Sequence, residues 1–576
     1  MLAKINKLSN KQVALLIFLV GLVVFCTGLF NPFQGDDILQ IVQNVPVHSL
    51  WNIKLFFEGS TFYNGQGLVP LTGSYYRPLQ TTFFSLIYTV FGAHSWPFHL
   101  LQLMLYIASA FILYLVLRYF FNTVLALALA IIFLIHPLNS QVVYAIPQLD
   151  DVLFFFFGIL AIWFLLRFKS VSSLWLVALG LFLSLLSKET AVVFVIMALV
   201  YLSWFNRQRL LAFIGIMVLP TAAYLALRIN AIGLTNHPST SPIDNLNLVG
   251  RLYSAPSIML LYLSKFIFPW KLATNYFWAN TSFSIQHVLL PLIIDLIIVA
   301  LVVYLAFVIR KKASRKYYFT YLLFAVWAFL GLIPYLQIIP LDQTASEPWF
   351  YFSMVGWLGM IGVIIKVFLK HINPTWLLTA AIILITIFGF RTFMRGIDWN
   401  NKYHLDRLDI AASKQDYVAY NDIAYDLINQ HKYAEATTYV KQSITIFPTI
   451  GNYNNLGYIY MDTGKIAAAK VAFNTGTRYG KFVNTYESLA AITLVNGNVK
   501  SNQLFFKQAF RYFPQDGKIW FYQALFDSEH NDNSGAVVAL NHAIYYGYSV
   551  NPNLYKVIAN NQPAVIHTNL GTIYIK

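Results

Sequence analysis

Two adjacent carboxylates, Asp36 and Asp37, close the stretch Asn31 to Asp37 (NPFQGDD), which follows directly on the apolar run 13–30. A paired acid where a chain leaves a membrane is unfavourable unless it is hydrated, paired or ligated. Two readings stand. One acid could be a general base that takes a proton from a hydroxyl, while its neighbour orients that acceptor or helps hold a divalent cation. Alternatively, the pair caps the segment Ile38–Gln43, as Asp does well.

A second acidic pair, Asp150-Asp151, follows His136-Pro137 and Pro147 and could cap the apolar run behind it. Lys188-Glu189 sits between two apolar runs so close that both charges must lie at a membrane boundary. The two form either a turn pair or a phosphate-binding cation fixed by its neighbouring acid. Arg77, Arg228, Arg391 and Arg395 hold similar boundary positions, where guanidinium forks suit a phosphate. The chain's other polar motifs exclude more than they suggest. His48, His94, His99 and His136 lack a zinc-ligand spacing. Neither a phosphate-binding glycine loop nor a Ser/His/Asp order is present. The single cysteine, Cys26, forms no intramolecular disulfide and no thiolate metal site.

The elements that must position these groups are membrane helices. With 576 residues, 58% hydrophobic and 11% charged, the chain is too apolar for a soluble protein and too long for one span. Runs near 13–30, 97–117, 122–136, 149–167, 171–186, 188–205, 209–227, 252–268, 288–309, 318–336, 350–369 and 374–391 are each candidates for a crossing of roughly 20 residues. Lys4, Lys7 and Lys11 precede the first run as in a signal peptide, but its length and the lack of a small-residue cleavage site predict an uncleaved anchor.

Charge sets the topology. If every run crossed, the cluster Arg310, Lys311, Lys312, Arg315 and Lys316 would fall outside, against the positive-inside rule. The run 252–268 holds Pro256 and Lys265 and ends in Pro269-Trp270-Lys271, so a re-entrant or interfacial helix is expected there. About eleven crossings then place the basic cluster inside and Asp36, Asp37, Asp150, Asp151, Glu189 and Glu347 outside. The net excess of Lys and Arg is thus a membrane signature rather than a nucleic-acid one. The first outer loop, roughly 31–96, carries Ser74-Tyr75-Tyr76-Arg77-Pro78-Leu79, and its last part, Leu79 to Gly92, is too short to span and should lie along the interface.

After Arg391 the sequence becomes mixed and polar, with a repeat. Tyr420, Tyr453 and Tyr486 are 33 residues apart, as are Ala424, Gly457 and Ala490. Asn455-Leu456-Gly457-Tyr458, Gly464-Lys465 and Ala472-Phe473 approach the tetratricopeptide pattern, and a weaker copy runs from Trp520 to Pro552. The expected architecture is therefore all-α: a membrane domain over 1–393, then a tetratricopeptide-like solenoid over 394–576 on the outer side.

In their order, these motifs resemble the GT-C superfamily of polytopic glycosyltransferases. The likeness is closest to the transmembrane and tetratricopeptide-repeat containing O-mannosyltransferases and their bacterial relatives. It rests on Asp36-Asp37, Tyr76-Arg77-Pro78-Leu79, His99, His136-Pro137, Asp151-Val152-Leu153, Ser187-Lys188-Glu189, Arg228, Glu347 with Tyr351, and Arg395 with Trp399. Two positions depart from it: Leu149 and Pro348 stand where the family tends to have arginine. The resemblance implies transfer of a sugar, mannose in the nearest relatives, from a polyprenyl-phosphate donor to a hydroxyl acceptor, with inversion and without a nucleotide sugar. Asp36 would be the base and Asp37 its partner. Arg77, Lys188 and Arg228 would hold the donor phosphate, supported by Tyr76, His136, Asp150, Asp151, Glu189, Glu347 and Arg395. No cofactor is assigned, and Asp36/Asp37 could hold a divalent metal. Expected partners are the lipid-linked donor, membrane lipids and a protein or glycan acceptor held by the repeats, with no nucleic acid. A bacterial plasma membrane fits the composition, and the endoplasmic reticulum would serve in a eukaryote. Competing readings are a GT-C enzyme acting on a lipid or glycan, a transporter, and a scaffold that uses only its repeats.

Overall fold

The computed structural model describes residues 5–62, 75–233, 241–369, 372–496, 499–568 and 571–575. Ser74 of the loop motif lies outside them. The chain divides into two compact units, the first running to Lys414 and the second starting at Gln415. It is helical almost throughout, the only paired strands among the described residues forming one hairpin, Ala564–Thr568 with Gly571–Ile575.

The first unit is a polytopic membrane bundle. Eight of its described helices are long and apolar enough to cross a bilayer. A further candidate is the pair Thr123–Ile135 and Pro137–Tyr144, bent by 50° where His136-Pro137 interrupts the ladder. Two shorter apolar helices, Leu174–Ser187 and Glu189–Phe205, lie on either side of Lys188. These segments coincide with the apolar runs read from sequence, except 252–268. That run forms the helix Leu248–Ile267, capped by the Asn247 side chain and interrupted by Pro256, and it is not among the candidate spans.

Small residues decide how closely the helices pack. Gly356 and Gly359 let the helix Tyr351–Phe368 lie directly on Arg315–Leu330, since a Cβ at either position would strike Ala328 or Phe324. The Trp327 indole donates to the Phe352 carbonyl at 3.1 Å across the same contact. Gly28 and Gly396 play this part for the first helix, Asn10–Phe25. A Cβ at Gly28 would strike Tyr144, and one at Gly396 would strike Thr27. Tyr144 also donates to the Thr392 carbonyl at 3.0 Å, so the exit of the first helix is fixed to the end of Pro374–Asp398. That junction places the NPFQGDD turn.

The second unit consists of helix pairs in series. Tyr417–Asn429 packs with Tyr433–Ile446, Ile450–Asp462 with Ile466–Gly476, Val483–Asn496 with Val499–Tyr512, and Gly517–Glu529 with Asn533–Tyr545. Asp416, Thr449, Asp516 and Asp532 each cap the helix they precede. The 33-residue spacing has a direct packing reason. Gly457 makes room for the Phe473 ring, and Asn455 donates to Asn421 one pair earlier at 2.9 Å.

Candidate active site

The candidate site residues read from sequence lie in the first unit, most of them in three groups. The first is the NPFQGDD turn. Three tethers hold it to the end of Pro374–Asp398: Thr27 donates to the Phe393 carbonyl at 3.1 Å, Asn31 to Gly396 at 3.4 Å and Gln34 to Trp399 at 3.0 Å. Gly35, at φ +56°, makes the turn that a side chain would strain. The result separates the two acids. Asp36 is exposed, whereas Asp37 is buried and accepts the Gln34 backbone N–H at 2.9 Å. Burial raises the Asp37 carboxyl well above the usual range despite that hydrogen bond, and the Asp36 charge adds to the rise. Asp37 does occupy the N-cap position of the turn Ile38–Val42, but its side chain makes no capping bond there.

The second group is an ion-paired knot. Asp150 and Asp151 open the helix Leu149–Arg167 and are both buried. Lys188 reaches them from the break between two helices, at 3.2 Å from Asp150 and 2.6 Å from Asp151. Arg77 completes the knot at 2.9 Å from Asp150 and lies over the Tyr75 ring at 4.4 Å. Burial pulls Arg77 and Lys188 down, but the surrounding carboxylates overcome it and hold both above their ordinary values. Both cations are therefore charged and compensated. Lys188 pairs with these acids far away in sequence, so it is Asp150 and Asp151 that fix this lysine. Neither acid acts as a helix cap, which was the simpler reading of that pair.

One turn beyond Arg77, Gln80 donates to the Pro147 carbonyl at 2.6 Å and to Gln40 at 3.3 Å, joining the knot to the segment that follows Asp37. Beside it lie three groups that sequence placed far apart: Tyr76, Glu189 and Arg228. They are brought together by Tyr224, a residue the sequence reading missed although it stands one helical turn before Arg228 on the same face. The Tyr76 and Tyr224 ring centroids are 6.3 Å apart. Both hydroxyls and the Arg228 Nε are buried without a hydrogen-bond partner among the described residues, a state that costs about 1–3 kcal/mol per group.

The third group surrounds Glu347. Its carboxylate accepts the Ala273 N–H at 2.8 Å and the Tyr276 hydroxyl at 3.2 Å. Arg395, wholly buried, pairs with Asp409 at 3.5 Å and lies 3.8 Å from Asp398. Asp409 and Tyr276 were not anticipated, because each is separated from its partner by a change in sequence character. His136 sits apart from these acids. Its Nε2 donates to the Phe266 carbonyl at 3.0 Å and its Nδ1 accepts the Leu138 N–H at 3.2 Å, so both ring nitrogens are committed to backbone. His136 and Phe388 also line one end of an apolar groove of about 770 Å³, with Leu129 along it and Lys366 and Asn122 among its lining. Asn122 and His136 bracket the helix Thr123–Ile135, so the groove runs the length of that helix, roughly 20 Å. Among the described residues no group of three or more His, Cys, Asp or Glu could hold a metal ion.

The segment 77–231 matches the dolichyl-phosphate-mannose-protein mannosyltransferase family. Those bounds take in Arg77, the Asp150/Asp151/Lys188 knot, Glu189, Tyr224 and Arg228. The chain resembles membrane protein mannosyltransferases. It is 21% identical over 523 residues to the human protein O-mannosyl-transferase TMTC3, covering 81% of this chain and 55% of that protein. A second relative, the Drosophila melanogaster protein O-mannosyl-transferase Tmtc3, is 22% identical over 152 residues, 26% of this chain and 16% of that protein. The chain thus spans about half the length of the human relative and less of the fly one. Among solved structures, the Archaeoglobus fulgidus oligosaccharyltransferase in its apo form aligns at a TM-score of 0.35 and 13% identity, covering 74% of this chain and 59% of that one. Together with the apolar helices, the mannosyltransferase likeness makes this an integral membrane protein.

Proposed function

We propose that the chain is a glycosyltransferase that moves mannose from a polyprenyl-phosphate donor to the hydroxyl of a protein Ser or Thr, on the extracytoplasmic side of its membrane. The observation that carries this reading is the convergence, inside the mannosyltransferase-like segment, of the Asp150/Asp151/Lys188/Arg77 knot with Tyr224 and Arg228. Arg228 is the phosphate candidate with no carboxylate in contact, and Arg77 and Lys188 add a rigid, charged wall beside it. The groove beneath His136 gives a lipid chain an apolar bed within the bilayer.

Asp36 serves as the general base, because it is the exposed acid of its pair. Its carboxylate takes the proton from the acceptor hydroxyl as that oxygen bonds to the anomeric carbon. The bond from that carbon to the phosphate oxygen breaks, and the electron pair leaves with polyprenyl phosphate. A single displacement of this kind inverts the anomeric centre. Asp37, held by the Gln34 N–H, keeps Asp36 in place. The groups on Glu347 and Arg395 brace the loop and helix ends around the site. The repeats of the second unit are proposed to present the acceptor.

The reading is tested by reconstituting the full chain in liposomes with radiolabelled polyprenyl-phospho-mannose and a Ser/Thr-rich peptide, then separating lipid from peptide products. Label in the peptide supports it. Label only in lipid or glycan products removes the protein acceptor, and no transfer to any acceptor removes the enzyme.

A further inference from the structure

Tyr76 and Tyr224 do not fit a phosphate site. A phosphate is best held by cations, and the nearby cations are largely occupied: Asp150 and Asp151 compensate Arg77 and Lys188, leaving Arg228 for a single phosphate charge. What remains is of a different kind. Two neutral phenol hydroxyls are buried with no hydrogen-bond partner among the described residues. The half-buried Glu189 carboxylate lies within electrostatic reach of Tyr75, Arg77 and Tyr224. The Tyr76 hydroxyl, which burial pushes up to about 12, keeps its proton at every physiological pH.

Hydroxyls that both donate and accept, next to a carboxylate that only accepts, complement a ligand that itself carries several hydroxyls. The two rings, tilted by 48°, add faces on which the C–H bonds of a pyranose can pack. Tyr224 and Arg228 are one helical turn apart, so a hydroxyl-rich ring at the tyrosines would place an attached phosphate beside the arginine.

We infer that Tyr76, Tyr224 and Glu189 form the pocket that holds the neutral hexose ring of the donor, with the adjoining phosphate on Arg228. This inference rests on the donor reading above and assigns the sugar to particular side chains. The pocket favours a hexose that keeps its hydroxyls over one that lacks them, because a missing hydroxyl would leave a buried tyrosine unpaired.

The test compares two lipid probes on the purified full chain: polyprenyl-phospho-mannose and bare polyprenyl phosphate. Tyr76→Phe and Tyr224→Phe keep the rings and their packing, and Glu189→Gln keeps the shape. Each variant is expected to bind the sugar-bearing lipid about five- to tenfold more weakly, with binding of the bare phosphate unchanged. Equal weakening for both probes would overturn the inference by placing these groups on the phosphate or in the scaffold. Unchanged binding of both would overturn it too. If the wild-type chain binds neither lipid, the donor reading itself fails and takes this assignment with it.

Discussion

Two Asp-Asp pairs occur in the membrane unit, and the surroundings make them different objects. Asp150 and Asp151 are each 1% exposed and sit against Lys188 and Arg77. Asp36 and Asp37 are divided, one exposed and one buried with the Gln34 backbone N–H on its carboxylate. The first pair has its charge satisfied and is built to hold shape. The second exposes one carboxylate, so the same dipeptide serves structure in one place and, on the proposed reading, chemistry in the other.

The largest expected contrast is catalytic. Asp36→Asn should lower peptide mannosylation by about 10²–10⁴-fold, the usual worth of a general base, with the melting temperature unchanged. Next comes a stability effect confined to the other pair. Lys188→Met strands the buried Asp151 carboxylate and leaves Asp150 with Arg77 alone, and should destabilise the chain by about 3–5 kcal/mol, read as a fall in melting temperature in detergent and in the yield of folded protein. A smaller effect separates the supports of the two pairs. Gly396→Val would push into Thr27 and Tyr144, costing about 1–3 kcal/mol and shifting the Asp36 turn. Transfer should then fall while hydrogen exchange around Asp150 stays as in the wild type.

The smallest effect is in pH dependence. Because the folded carboxyl of Asp37 is raised, the folded state keeps its proton where the unfolded chain has already lost it. Its contribution to stability is full below the ordinary carboxylate value and is lost as pH rises through the raised one. Asp37→Asn should remove that decline, giving a melting temperature that varies less with pH than the wild type's. A wild-type curve with no such decline would contradict the burial of Asp37.

Much of the membrane unit was legible because length and apolarity alone define a crossing. The exception at 252–268 was also legible, since Pro256 and Lys265 mark it. The 33-residue period likewise announced the helix pairs of the second unit, through residues such as Gly457 that must be small for a ring to fit. The sequence offered candidate positions but did not show which of them pair. Lys188 looks toward Glu189 in sequence, yet the break that carries it aims the amine at acids on another helix. Asp409, partner of Arg395, lies in sequence whose polar character gave no hint of a buried acid. Tyr224 is one aromatic in an apolar helix, and only the position of Tyr76 gives it meaning.

The central claim, that the exposed acid does the chemistry and the ion-paired acids hold the fold, is tested most directly by assaying Asp36→Asn and Asp150→Asn side by side for melting temperature and for mannose transfer in liposomes. The account predicts a fully folded but inactive Asp36 variant and a destabilised Asp150 variant. Wild-type transfer by Asp36→Asn would contradict it.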